Sequence, residues 1–173
     1  MDLANWSARP HPARAPLDGR YVRLEPLECE HANTLYQAAS ADGAEDRFRW
    51  LFENPPQSRA ELESWIETVS ASIDPLFFAV IDKATGRAEG RQALMRIDMT
   101  HGVIEIGGIM WGPALQQTRM ATEALFLFAD HVFALGYRRL EWKCNDLNMA
   151  SKRAAVRFGF RPESVFRQHM VVK

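Results

Sequence analysis

Apolar residues along this chain fall into two rhythms. Over 21–27 they alternate with charges, Val22 and Leu24 against Arg23 and Glu25, the period-two pattern of a half-buried strand. Over 28–41 Ala32, Leu35, Tyr36 and Ala39 keep helical spacing until Asp42-Gly43 ends it. Residues 46–52 are aromatic and basic and, closed by Asn54-Pro55-Pro56, read as a loop. Helical spacing returns over 58–70 through Leu62, Trp65, Ile66 and Val69, with Ser58 and Glu61 placed as a capping box. Strands follow over 76–82, 90–98 and 103–111. Tight turns at Ala84-Thr85-Gly86 and Thr100-His101-Gly102 make them an antiparallel meander.

The strongest helical pattern runs over 118–135, with Ala121, Ala124, Leu125, Phe128, Val132 and Leu135 on one face and Gly136 beyond its end. Residues 138–145 alternate again, Leu140, Trp142 and Cys144 against Arg139, Glu141 and Lys143. A short helix over 148–158 ends before Gly159, and 160–173 reads as one more strand region, broken near Pro162. A meander followed by a strand–helix–strand crossover makes the class α/β (α+β). Residues 1–16, rich in Pro, Arg and Ala around Trp6, read as an irregular arm, and 17–173 as a single domain.

Composition narrows the function. A net charge of −1 gives no electrostatic case for nucleic acid or an anionic membrane. The apolar run 76–81 is far too short to span a bilayer, and residues 1–16 have no apolar core of the kind a signal peptide carries. Two cysteines, Cys29 and Cys144, make no disulfide framework, so a reducing cytoplasm is the default location. The sequence has no Cys-x-x-Cys, His-Glu-x-x-His, Gly-x-Ser-x-Gly or Walker loop, and its five histidines show no ligand spacing.

One stretch stands out. The strand over 103–111 breaks at Gly112-Pro113, and a Gln/Thr-rich turn leads straight into the helix that starts at Thr118. A helix N-terminus offers unpaired N–H groups and a favourable dipole to an anion. On this reading Gln117 to Thr122 present backbone amides to a pyrophosphate; an ordinary strand-to-helix connection has the same composition.

In their order and spacing, the elements and three signatures resemble the GNAT superfamily of acetyl-CoA-dependent N-acetyltransferases, in its RimJ/RimL-like branch. Glu105-Ile106-Gly107-Gly108-Ile109 is similar to the family's splayed central strand. Gln116-Gln117-Thr118-Arg119-Met120-Ala121-Thr122-Glu123-Ala124 aligns with its pyrophosphate loop, Gln/Arg-x-x-Gly-x-Gly/Ala. Asn148-x-x-Ser151, ending at Phe158-Gly159-Phe160, is the third. Arg119 departs from the pattern by replacing the loop's central Gly, and Ala155 stands where many members carry a Tyr acid. The family fold also needs a further strand past Lys173, so either the chain is truncated or something else, such as a partner subunit, completes that edge.

The resemblance implies a GNAT-type twisted sheet and transfer of acetyl from acetyl-CoA to a primary amine, a peptide α-amine or a small amine, by a monomer or homodimer. It implies that backbone groups of Gly108, Ile109 and Met110 hold the pantetheine arm. Residues Gln116, Gln117, Thr118, Arg119, Met120, Ala121 and Thr122 hold the pyrophosphate. Asn148 bonds the pantetheine amide, Ser151 protonates the thiolate, and Lys152 meets the 3′-phosphate. Helix capping by Asn148 and Ser151, and a solvated Lys152, are the plain alternatives. Loss of turnover would leave an acyl-CoA-binding sensor of the same fold. Glu105, a lone carboxylate among apolar residues, is the first candidate base, since desolvation raises a carboxyl's basicity. Its plain alternatives are a side chain on the solvated face of the strand or a pairing with an Arg such as Arg91 or Arg96, and Glu141 on the neighbouring strand is its rival. Trp50 and its aromatic neighbours lie where the family forms its acceptor side.

Overall fold

A computed structural model of the chain describes residues 4–171. Six strands form one mixed sheet in chain order: β1 (Leu17–Asp18), β2 (Val22–Pro26), β3 (Leu76–Asp82), β4 (Arg87–Asp98), β5 (Val103–Trp111) and β6 (Arg139–Trp142). All neighbours are antiparallel except β5 and β6, which run parallel and therefore need a crossover. The crossover is α4 (Arg119–Ala134). The other helices are α1 (Ala32–Ser40), α2 (Ala44–Phe48), α3 (Arg59–Ser70) and α5 (Met149–Arg157).

The sheet is covered on both faces, which is why Leu76 to Ile81 are all buried. On one face α1 and α3 pack Leu35, Ala39, Leu62 and Ile66 against Phe77, Ala79, Ala93 and Met110. On the other, Ala124, Leu125, Phe128 and Val132 of α4 pack against Leu24, Phe78, Leu94, Ile104 and Ile106. Glu123 fastens α4 to the β1–β2 turn, its carboxylate accepting from the backbone N–H of Arg20, Tyr21 and Val22 at 2.8, 2.6 and 2.8 Å. The N-terminal arm lies against the β4–β5 turn, where Trp6 Nε1 donates to Thr100 O at 2.8 Å.

Five expectations need correction. Residues 46–52 are not simply a loop, because α2 covers Ala44–Phe48. Gly43 turns the chain at a φ of 81°, and Arg47 folds back to donate to the α1-end carbonyls of Ala39, Ala41 and Asp42. Strand β4 begins three residues earlier than expected, since a bulge at Val80/Ile81 brings Arg87 and Ala88 into register. Strand β6 ends at Trp142 instead of 145, because β5 offers it partners only as far as Ile106. The strand expected over 160–173 does not form in its described part, 160–171. Glu163 binds Arg139 through two 2.7 Å bonds and Phe160 packs on Trp142, so side chains hold the segment near β6, while Pro162 has no N–H for a ladder. The capping box at α3 is displaced: Ser58 Oγ accepts from Glu61 N, but Glu61 Oε2 accepts from Gln57 N, one residue early.

Candidate active site

Strands β5 and β6 pair over Val103–Ile106 and then part. Beyond the fork, β5 continues from Gly107 to Trp111 with β4 on one side and no β6 partner on the other. A bulge marks the fork: Arg91↔Met110 and Ala93↔Gly107 leave one extra residue in β5. Gly108 sits in it at a φ of 57°, and a Cβ there would lie 2.8 Å from the Phe77 ring. Gly108→Ala therefore meets both backbone strain and a collision. We expect a loss of about 2 kcal/mol, read as a fall in Tm of about 4–8 °C for a chain of this size.

The first turn of α4 faces the same end of β5. Thr118 is its N-cap, accepting from Ala121 N at 3.4 Å while donating its own hydroxyl proton to Leu115 O at 2.7 Å. The helical ladder starts at Thr122 N, so the N–H groups of Arg119 and Met120 precede it. Gln117 holds a left-handed φ of 61°, and Gln116 Nε2 donates to Trp111 O at 2.9 Å. The Arg119 side chain lies over the Tyr21 ring, 4.2 Å from its centroid.

Helix α5 brings Asn148 and Ser151 to the fork. Asn148 Oδ1 accepts from Ser151 N at 3.1 Å and caps the helix. The Ser151 hydroxyl accepts from the Trp142 indole N–H at 2.9 Å. Lys152 is paired with Asp146 at 2.7 Å.

Glu105 is buried, at 3 % exposure, and points to the same face of β5 as Gly107. One oxygen accepts from Arg96 Nη1 at 2.6 Å and the other from Lys143 Nζ at 2.8 Å. Lys143 also bonds Glu141, the residue opposite Glu105 in register, which Arg139 binds from its other side. Burial pushes the Glu141 carboxyl up, but the Lys143 and Arg139 bonds outweigh it and its pKa is lowered. Of the two arginines weighed as partners, Arg96 takes Glu105 and Arg91 goes elsewhere.

Arg91 is the feature the sequence reading missed as a site residue. It is buried, forms an ion pair with Glu53, and donates from Nη1 to Gly108 O at 2.6 Å. The Trp65 ring stacks on it at 4.4 Å. Burial pushes the guanidinium down to about 9. No local signal marks it, since β4 also carries Arg87, Glu89, Gln92 and Arg96, and one more Arg in such a strand normally reads as an outward-facing residue. Above Arg91 and Met110 lies a cavity of about 150 Å³, walled by Phe48, Leu62 and Trp65. A larger hollow of about 320 Å³ outside α2 touches no residue of β4 or β5. Trp50 lines neither; it is half-buried, with Arg49 over its ring at 5.2 Å.

One cluster was not visible in histidine spacing. His31 lies beside Glu25 and Glu30, within reach of a shared ion. Its two ring nitrogens already bond Glu25 and the backbone N–H of Glu28, at 2.9 and 3.0 Å.

The model of the acetyltransferase (GNAT) domain matches residues 22–161. Among curated proteins none matches this chain. Among solved structures, the chain is similar to a GCN5-related N-acetyltransferase from Brucella melitensis, with 60% identity and a TM-score of 0.96 over 98% of this chain and 77% of that one. It is 36% identical to a GNAT-family chain from Chromobacterium violaceum, with a TM-score of 0.90 over 100% and 87% of the two chains. Mycobacterium smegmatis RimJ in complex with CoA-disulfide, at 20% identity and a TM-score of 0.74 over 91% and 79%, shares the fold.

Proposed function

The chain belongs to the GNAT acetyltransferase family and is an acyltransferase, and from that premise we propose that it moves acetyl from acetyl-CoA to a primary amine by direct attack in a ternary complex. The observation that carries this reading is the fork. A bulged stretch of β5, open on its β6 side, lies beside a helix N-terminus whose first amides are not used by the helix. The residues suit a CoA thioester, because free strand groups match an amide-bearing arm and first-turn amides match a pyrophosphate. We place the chain in the RimJ/RimL-like branch on the residues 116–124 and Asn148–Ser151.

In this reading the backbone of Gly108 to Met110 holds the pantetheine arm and polarises the acetyl carbonyl, and residues 116–122 hold the pyrophosphate. The thioester, when bound, supplies the activated acetyl group. The chain supplies alignment, which is worth roughly 7–11 kcal/mol when reacting groups are held in line. Glu105 takes the ammonium proton, and Lys143, bonded to both carboxylates, shifts its contact to Glu141 as it does so. Ser151 gives a proton to the leaving thiolate and is restored by the second proton, which the amine nitrogen releases as the amide forms. Asn148 keeps Ser151 in place by capping α5 and bonds the pantetheine amide, and Lys152 meets the 3′-phosphate on leaving Asp146.

One observation favours a second reading, an acyl-CoA-binding module without turnover: both Glu105 oxygens are taken by cations. Calorimetric titration of the full chain with acetyl-CoA, followed by thiol release with a panel of amines, separates the two. Stoichiometric binding with thiol release is the expected result. Binding without release under any amine leaves the module, and no binding overturns both.

A further inference from the structure

Resting on the acetyl-transfer reading above, we propose that the cavity beneath α3 is the acceptor pocket and takes a compact, singly charged primary amine with an apolar body. Its floor is the pair Arg91 and Met110, which face each other across β4 and β5 at the outer end of the bulge. Met110, one of the residues to which the acetyl group is assigned, lines that floor, and Arg91 reaches from it to Gly108 O at 2.6 Å, so one buried side chain joins the cavity to the bulge.

Size limits the occupant. A cavity of about 150 Å³ matches one that takes benzene, and lies below the roughly 300 Å³ at which sites for larger ligands begin. The wall limits its chemistry. Phe48, Pro56, Leu62, Trp65 and Met110 are apolar, Asn54 is the one neutral polar side chain on the lining, and Trp65 meets Phe77 edge-on at 5.1 Å. A peptide N-terminus would carry its first amide group into this wall beside the amine. An amide left there without partners loses roughly ten- to a hundredfold in affinity, whereas an alkyl or aryl body loses nothing.

Charge limits it further. Glu53 and Glu61 line the cavity against a single cation, Arg91, which leaves one negative charge in excess. Arg91 is matched by Glu53, so Glu61, exposed in the first turn of α3, is the group an incoming ammonium meets. That balance suits a monoamine; the second charge of a polyamine has no counterpart within the cavity.

The test is thiol release by the full chain at saturating acetyl-CoA with 2-phenylethylamine, isopentylamine, spermidine and an alanyl tetrapeptide amide. The two monoamines are expected to exceed spermidine and the tetrapeptide by about 100-fold in kcat/KM. Turnover that favours the tetrapeptide or spermidine, or a spread within about tenfold, overturns the pocket while leaving acetyl transfer standing. No release with any amine defeats the underlying reading as well. Glu61→Gln keeps the oxygen that accepts from Gln57 N and removes the charge. It should raise KM for 2-phenylethylamine roughly tenfold with KM for acetyl-CoA unmoved. An unchanged amine KM would place the ammonium away from Glu61 and overturn the assignment.

Discussion

Ser151→Ala is expected to lower kcat by roughly 100-fold or more, with the Kd for acetyl-CoA within about threefold of the parent. The reason is the direction of one hydrogen bond. A hydroxyl has two lone pairs and one proton. The Trp142 N–H fills a lone pair of Ser151 at 2.9 Å, which leaves the proton to be donated elsewhere. The helix does not need that hydroxyl, since Asn148 Oδ1 bonds the Ser151 backbone N–H at 3.1 Å. Loss of the side chain leaves the part-buried Trp142 N–H without its acceptor and should therefore cost about 1 kcal/mol of stability, far too little to unfold the chain. Trp142→Phe keeps a ring beside Phe158 and Phe160 but removes the N–H, and should lower kcat about tenfold. The double variant should fall no further than Ser151→Ala alone, because both changes act on one proton. Full activity in Ser151→Ala would remove it from the mechanism, and multiplying losses would uncouple Trp142 from it.

Glu123→Ala should cost about 3 kcal/mol of folding stability, read as a lower denaturant midpoint at unchanged slope. Its carboxylate bonds three successive backbone N–H groups of the β1–β2 turn. Bonds to a charged acceptor are worth about 1.5–3 kcal/mol each, less where, as at Arg20, the freed N–H can turn to water. Burial pushes the Glu123 carboxyl up, but the bonds from Val22, Tyr21 and Arg20 and the nearby Lys83 outweigh it, so its pKa is lowered in the fold. A carboxyl lowered on folding stabilises fully above its unfolded value of about 4.3, and that contribution is lost as pH falls through the lower folded value. The gap between parent and Glu123→Ala should thus be widest near neutral pH and narrow in acid. A gap that widens in acid would mean the carboxylate does not hold this turn. The same turn carries Tyr21, on which Arg119 stacks, so loosening it also loosens the first turn of α4.

Much of the frame was legible in order. Strands over 76–82 and 103–111, a helix capped by Thr118 and one capped by Asn148 all form where alternation, spacing and capping residues place them. These signals act over a few residues: strand alternation, helical spacing and an N-cap are set by backbone geometry within one or two turns. The errors in the strands fall where a neighbour far along the chain intervenes, whereas the short α2 and the displaced α3 cap are local. Strand β6 stops early because β5 bulges at Gly108, and the terminal strand fails where Pro162 and the side chains of Glu163 and Phe160 replace a backbone ladder.

The amino-acid pattern by itself determined the order of elements, the strand–turn–helix that opens toward an anion, and the resemblance to acetyltransferases. Only the tertiary structure decided which side chains meet. Glu105 is held by Arg96 and Lys143, Arg91 by Glu53 and Gly108, and Ser151 by Trp142. Those partners lie on different strands, helices and loops. Their meeting depends on sheet register: Gly107-Gly108 marks a bulge in β5 locally, but which residues of β4 and β6 come to lie opposite it has no local signature in the chain.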